Sequence, residues 1–140
     1  HTGWDLYGGV GLFVPALATA VQGKVISVDY SPAATAGEQL GLAEFDVEVK
    51  SAKVEQVAAQ LPKPGAVVLD PPRTGAGEDV IRSVAAAAPQ AVIHVGCDPA
   101  TFARDLGYWD RFGYRIEKMA LINAFPGTHH FETIALITPA

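Results

Sequence analysis

Short strand-like runs alternate with stretches of helical pattern along most of the chain, and this alternation limits the folds open to it. Lys24–Asp29, Ala66–Leu69 and Ala91–Val95 are runs of this kind. A continuous apolar run such as the second is typical of a strand that helices cover on both faces. Strands joined by helices form a mostly parallel sheet. The sequence therefore predicts one α/β domain over residues 1–140.

Four further strands and five helices complete this interpretation, and the last two strands break the alternation. Tyr114–Leu121 and Phe131–Thr138 follow one another with no helical stretch between them, so we expect a closing pair with an antiparallel last strand. The other predicted elements are strands Trp4–Tyr7 and Phe45–Val49 and helices Leu12–Val21, Ser31–Leu42, Ser51–Gln60, Glu78–Ala88 and Pro99–Arg111.

Composition and charge narrow the class of protein. A chain of 140 residues with 49% hydrophobic residues can bury a core of its own, and no apolar stretch approaches the roughly 20 residues of a membrane helix. One cysteine cannot form a disulfide within the chain or hold an iron–sulfur cluster, which favours a reducing, cytoplasmic setting. The net charge of −5 indicates that any binding of nucleic acid depends largely on parts of the protein outside this chain.

A glycine-rich loop follows the first predicted strand. In Asp5-Leu6-Tyr7-Gly8-Gly9-Val10-Gly11, the last two glycines begin a dinucleotide-type motif whose third glycine is replaced by valine. Asp5 fits S-adenosylmethionine better, because a carboxylate there can meet the amino group of its methionine portion. Asp29 ends the second strand, where an acid can accept hydrogen bonds from both ribose hydroxyls. The alternative is a tight strand-to-helix turn with no ligand.

The run Asp70-Pro71-Pro72-Arg73 predicts a second functional turn. Its two prolines fix the backbone after a central strand and hold Asp70 at the sheet edge. Methyltransferases that act on amino groups place an aromatic ring after the prolines, and arginine here disfavours such a target. The alternative is a rigid loop with a solvated acid.

Cys97, the only cysteine, lies where an apolar strand meets the helix predicted from Pro99. The N-terminal dipole of that helix favours an anionic sulfur, so we interpret Cys97 as a nucleophile. The alternative is a small buried apolar side chain.

His130 and Glu132 share one face of the last strand by period-two alternation. We interpret Glu132 as a base steered by His130. Glu132 could equally be a solvated strand residue. Zinc is disfavoured, because the spacing to Cys97 gives no ordinary ligand set, and we predict no metal site.

Together these segments resemble the RNA (uracil-5)-methyltransferase family. The matches occur in the family's order and span nearly the whole chain. They are Asp-Leu-Tyr-x-Gly-x-Gly-x-Phe at 5–13, Asp-Pro-Pro-Arg-x-Gly at 70–75, Cys-x-Pro-x-Thr-x-x-Arg-Asp at 97–105 and Phe-Pro-x-Thr-x-His-x-Glu at 125–132.

The resemblance implies a Rossmann-like class I methyltransferase fold and a mechanism. The cysteine matching Cys97 adds to C6 of a uracil in tRNA or rRNA, C5 takes the methyl group of S-adenosylmethionine, and the glutamate matching Glu132 removes the C5 proton. The aspartate matching Asp70 contacts the uracil edge. The cofactor-binding residues implied are Asp5, Tyr7, Gly9, Gly11, Asp29 and Asp70.

The chain also departs from the family pattern. Gly8 replaces a cysteine, Asp98 an asparagine and Asn123 an aspartate, and Ser51-Ala52-Lys53 stands where Asp-Ala-Glu would hold the adenine amino group. The negative charge of Asp98 would oppose a thiolate unless it points away.

The first residue is His1 rather than methionine, so we expect a fragment of a longer protein that lacks its upstream RNA-binding and central domains and is inactive on RNA when isolated. Two other functions remain open. One is methyl transfer to another target, with Cys97 merely packed. The other is a module that binds a nucleotide without chemistry.

Overall fold

The computed structural model describes residues 1–8, 13–29, 45–123 and 131–140. Gly9, Gly11, His130 and the predicted helix Ser31–Leu42 lie outside the described residues.

One seven-stranded sheet forms the centre of the described structure, with the strand order β3-β2-β1-β4-β5-β7-β6. The strands are β1 Thr2–Leu6, β2 Lys24–Val28, β3 Val47–Lys50, β4 Ala66–Leu69, β5 Ala91–Gly96, β6 Tyr114–Asn123 and β7 Phe131–Pro139. In the same part of the chain the helices are α1 Val14–Val21, α2 Val54–Val57, α3 Glu78–Ala86 and α4 Pro99–Arg111, with a 3-10 helix at Ala58–Gln60.

The strand directions confirm the predicted architecture. Strands β1 to β5 pair with one another in parallel, whereas β7 is antiparallel to both β5 and β6. The sheet is thus mostly parallel with an antiparallel last strand, and the fold is Rossmann-like.

The core lies on both faces of this sheet, because alternate strand residues point to opposite sides. On one face, α1 packs its buried Val14, Leu17 and Val21 against strand residues that include Val25 and Val68. On the other face, α2, α3 and α4 pack against a second buried set. That set includes Trp4, Leu6, Ile26, Leu69, Val54, Ile81, Val84, Phe102 and Trp109.

Two predicted helices are shorter than their sequence pattern suggests. The predicted helix Ser51–Gln60 begins only at Val54 and turns into the 3-10 helix, and Leu61 is extended because Pro62 follows it. Helix α3 ends at Ala86 rather than at the predicted Ala88. Ala88 has a left-handed backbone with φ 56° just before Pro89, so the α conformation stops there.

Candidate active site

Parallel strands β1, β2, β4 and β5 end at one common edge of the sheet, and the predicted site residues follow these ends. Tyr7 comes directly after β1 and Asp29 directly after β2. Asp70 follows β4, whose last residue Leu69 pairs with His94 of β5, and Cys97 follows β5. The structure therefore brings together four side chains that are far apart in the sequence.

Strand β7 brings Glu132 to the same edge from the opposite direction. The last β5–β7 pair is Gly96 with Thr133, and the two residues one step beyond it are Cys97 and Glu132. Cys97 is exposed, whereas Glu132 is partly buried. The antiparallel register thus brings Glu132 to the edge at which β5 ends before Cys97.

Asp70 lies within the electrostatic reach of two other predicted site residues. Burial, with smaller contributions from the negative charges of Glu132 and Asp29, raises the pKa of Asp70 to about 6. A carboxyl with such a pKa exchanges a proton close to neutral pH. Asp70 can therefore accept a hydrogen bond as a carboxylate and donate one in its protonated form.

Asp5 is a fully buried acid at the last position but one of β1. Ser27 Oγ donates a hydrogen bond to its Oδ2 at 3.3 Å, and within the described ranges Oδ1 has no hydrogen-bond partner. Burial raises the pKa of Asp5 to about 7, the Ser27 hydrogen bond acts against this, and the charges of Asp70 and Asp29 add to it. The unpartnered oxygen suits a ligand that brings a donor or a positive charge.

A cavity of about 440 Å³ opens beside this edge. Tyr7 and Asp29, two of the predicted cofactor-binding residues, line this cavity. Burial, with smaller contributions from the charges of Glu55, Asp105 and Asp29, raises the pKa of Tyr7 to about 12. The volume lies in the range of small-molecule sites. The lining continues through Ala52, Lys53, Val54, Glu55 and Pro72 to the run from Thr74 to Val80. Asp5, Asp70, Cys97 and Glu132 lie outside the described lining.

Asp98, the acid that replaces asparagine beside Cys97, caps helix α4. Its Oδ1 accepts hydrogen bonds from the backbone N–H groups of Ala100 at 2.9 Å and Thr101 at 3.1 Å. These groups would otherwise lack a partner at the start of the helix. The negative charge is therefore directed into the helix terminus.

Sequence reasoning missed Ser27 and the cavity wall from Thr74 to Val80. Ser27 lies directly opposite Asp5 in the β1–β2 register. A serine in an otherwise apolar strand, paired with a buried acid, is the signal that could have identified it.

Two negative findings concern the described residues alone. None of their helices combines the length and apolar character needed to cross a membrane. No group of three or more His, Cys, Asp or Glu side chains among them could hold a metal ion.

Comparisons with known proteins identify the family of the chain. The model of the family described as tRNA (Uracil-5-)-methyltransferase matches residues 52–139. An uncharacterized RNA methyltransferase of Corynebacterium glutamicum is 58% identical over 95% of this chain and 32% of its own length. The 23S rRNA (uracil(747)-C(5))-methyltransferase RlmC of Shewanella halifaxensis is 35% identical over 96% of this chain and 36% of its own.

Among solved structures, the chain is similar to the tRNA (uracil-54, C5)-methyltransferase of Pyrococcus abyssi, crystallised in complex with S-adenosyl-L-homocysteine. The TM-score is 0.82 and the identity 30%, over 97% of this chain and 34% of that one. The chain thus spans about a third of the length of the curated relatives it matches.

The raised pKa of Asp5 predicts a specific dependence of stability on pH. Between its unfolded pKa of 3.8 and about 7 the folded state binds more protons, so stability falls as pH rises through this window. Asp5→Asn removes the effect. We expect the variant to gain on the order of 2–3 kcal/mol of unfolding free energy relative to the wild type between pH 5 and pH 8.

Urea denaturation at both pH values measures this difference. Asp46→Asn, which makes the same change at an exposed position, is the control and should show no comparable trend. A difference that is the same at pH 5 and pH 8 would contradict the burial argument.

The cap at Asp98 predicts opposite outcomes for two substitutions. Asp98→Ala should lower the free energy of unfolding by about 1 kcal/mol, because two N–H groups lose their acceptor. Asp98→Asn should keep the cap and change the rate of Cys97 alkylation by iodoacetamide less than about twofold, because the charge of Asp98 is directed into the helix terminus. Cys97 is the only cysteine, so mass spectrometry measures this rate without interference. A severalfold faster rate in Asp98→Asn than in wild type would show that the charge acts on the sulfur instead.

Proposed function

Because the chain belongs to the tRNA (uracil-5-)-methyltransferase family, we propose that it is the catalytic domain of an enzyme that methylates C5 of a uridine in RNA. The observation that supports this proposal is the β5–β7 register, whose last pair Gly96–Thr133 is adjacent in sequence to Cys97 and Glu132, at the edge where β4 ends before Asp70. The relatives named above act on tRNA and on 23S rRNA, so the substrate is an RNA of one of these two kinds.

The proposed cofactor is S-adenosylmethionine, and the residues present fit it. The unpartnered Oδ1 of Asp5 suits the ammonium group of the methionine portion, and Asp29 in the cavity wall suits the ribose hydroxyls. Tyr7 contributes to the wall. Gly9 and Gly11 belong to the proposed site on the sequence pattern. When bound, this cofactor supplies an electrophilic methyl group.

In the proposed reaction, Cys97 acts as the nucleophile. Its sulfur adds to C6 of the uracil, and the electron pair of the C5–C6 double bond moves toward C5 and the O4 carbonyl. C5 thereby becomes nucleophilic enough to take a methyl group, which it is not while the ring stays conjugated. Cys97 is exposed at the sheet edge and can reach a base that has left its stack.

Glu132 acts as the base that completes the reaction. After C5 has been methylated, it still carries its original proton. Removal of this proton by Glu132 returns the electron pair to the C5–C6 bond and expels the sulfur from C6. Asp70 would hold the uracil edge, for which a group that can both accept and donate a hydrogen bond is suited.

The charge of the chain constrains how the RNA is held. A net charge of −5 opposes a polyanion, and the curated relatives are about three times as long as this chain. We therefore assign most of the affinity for RNA to regions of the protein beyond this domain.

The covalent step predicts different outcomes for two variants of the intact protein. With unmodified RNA, Glu132→Gln should accumulate a covalent protein–RNA adduct, because the C5 proton stays and the sulfur cannot leave. Cys97→Ala should form none and should lose at least about 10³-fold in turnover. Denaturing gels and mass spectrometry of the Cys97 peptide report the adduct.

Glu117→Gln, the same change at an exposed position of β6, is the control and should behave as wild type. Retained turnover in Cys97→Ala would remove Cys97 from the mechanism and favour methylation of another atom. Cofactor binding by calorimetry with no methyl transfer by the wild type would favour a binding module.

A further inference from the structure

A buried polar cluster lies between β5 and α4, and the proposed reaction does not use it. Asp105 is 0% exposed and His94 is 1% exposed. Trp109 Nε1 donates a hydrogen bond to His94 Nδ1 at 2.9 Å, and His94 Nε2 lies 3.6 Å from Asp105 Oδ2. Polar groups buried at this depth cost free energy unless they are paired, so the cluster calls for an explanation.

The ring of His94 is fixed in one protonation state. Burial lowers the pKa of His94 to about 4, and the nearby charge of Asp105 acts in the opposite direction. The imidazole is therefore neutral at neutral pH. Because Nδ1 accepts the Trp109 hydrogen bond, the ring proton lies on Nε2 and faces Asp105.

The carboxyl of Asp105 binds the backbone of a loop from another part of the chain. Its Oδ2 accepts the N–H of Ala76 at 2.7 Å, and its Oδ1 accepts the N–H of Gly77 at 3.2 Å and a guanidinium N–H of Arg104 at 3.1 Å. Ala76 and Gly77 belong to residues 70–77, which begin with Asp70 and which we name the Asp70 loop.

Two neighbours of Asp105 on α4 bind the same loop. Thr101 Oγ1 donates to the carbonyl oxygen of Arg73 at 2.8 Å, and Arg104 Nη2 donates to that of Thr74 at 2.8 Å. Between these contacts Gly75 has φ +82°, and a Cβ there would lie 2.5 Å from Arg104 Nη2 and 2.7 Å from Asp105 Oδ2. The helix and the loop backbone are therefore in direct contact, with no space for a side chain.

We propose that Asp105 is a positioning residue, which together with Thr101 and Arg104 fixes the Asp70 loop relative to the helix that starts beside Cys97. Helix α4 begins at Pro99, two residues after Cys97, and the loop begins at Asp70. The same loop supplies Thr74 to Gly77 to the cavity wall. One set of hydrogen bonds thus fixes the positions of Asp70, Cys97 and the cavity wall relative to one another. The consequence for turnover rests on the function proposed above.

Only a carboxylate satisfies all the donors that meet at this point. A carboxylate offers two acceptor oxygens to the N–H groups of two successive residues. Because Asp105 is fully buried, both oxygens are shielded from water. Asn has one acceptor oxygen, and its NH2 group would face another donor. Asp105→Asn should therefore break at least one loop contact while it keeps the side-chain volume.

The test compares Asp105→Asn with Asp110→Asn in the intact protein. Asp110 is exposed on the same helix, so the control makes the same chemical change away from the loop. In Asp105→Asn, hydrogen exchange at the amides of Ala76 and Gly77 should be at least about tenfold faster than in the wild type. The kcat should fall about 10- to 100-fold with KM for RNA within about threefold, because reacting groups are misplaced rather than lost.

Thr101→Val provides a second variant should Asp105→Asn fail to fold. It removes the hydrogen bond to the Arg73 carbonyl and a longer one of 3.4 Å to the Asp98 carbonyl within the same helix turn. It should lower kcat about three- to tenfold while KM changes less than about twofold. Unchanged kcat in this variant, or unchanged exchange at Ala76 and Gly77 in a folded Asp105→Asn, would overturn the proposal. A merely structural role would lower the melting temperature and leave kcat intact.

Hydrogen exchange also separates this proposal from the proposed function. The exchange measurement needs no RNA and no chemistry at Cys97. Faster exchange in Asp105→Asn combined with full turnover in Cys97→Ala would leave the loop attachment in place and reject the covalent mechanism.

Discussion

The antiparallel direction of β7 is the constraint on which the candidate site depends. Parallel strands β1, β2, β4 and β5 all end at one sheet edge, and β7, inserted between β5 and β6, begins there. In a parallel orientation, the start of β7 would lie at the far edge, about 30 Å away for a strand of nine residues. Glu132 lies at the same edge as Cys97 and Asp70 only because this one strand is reversed.

The same edge concentrates negative charge. Asp5, Asp29, Asp70 and Glu132 all lie there, and burial, with a smaller contribution from their mutual repulsion, raises the pKa values of Asp5 and Asp70. Such a cluster destabilises the folded chain unless protons or a cation compensate it. The proposed cofactor carries positive charge at its ammonium and sulfonium groups. The negative charge at this edge is therefore compatible with that ligand.

The elements were predictable from the sequence where the signal is local. An apolar run followed by an acid predicted Ala66–Leu69 and Asp70, and the helical pattern opening on a proline predicted the start of α4 at Pro99. The contacts that organise the site were not predictable, because they join residues far apart in sequence. Ser27 meets Asp5 across 22 positions and Asp105 meets Ala76 across 29. Asp105 was visible in the motif 97–105, but no local pattern indicated the loop that it binds.

Two departures from the family pattern are matched by their surroundings. A Cβ at Gly8 would collide with the Asp5 carboxyl and with Ser27 Oγ, so the space of the family's cysteine side chain is taken here by the Asp5–Ser27 hydrogen bond. The carboxylate of Asp98 accepts hydrogen bonds from the helix N–H groups rather than facing open solvent next to Cys97. In both places, a hydrogen bond within one helix turn or one strand pair compensates for the different side chain. Both hydrogen bonds are local, and neither involves the β5–β7 register that brings Glu132 to the edge where β5 ends.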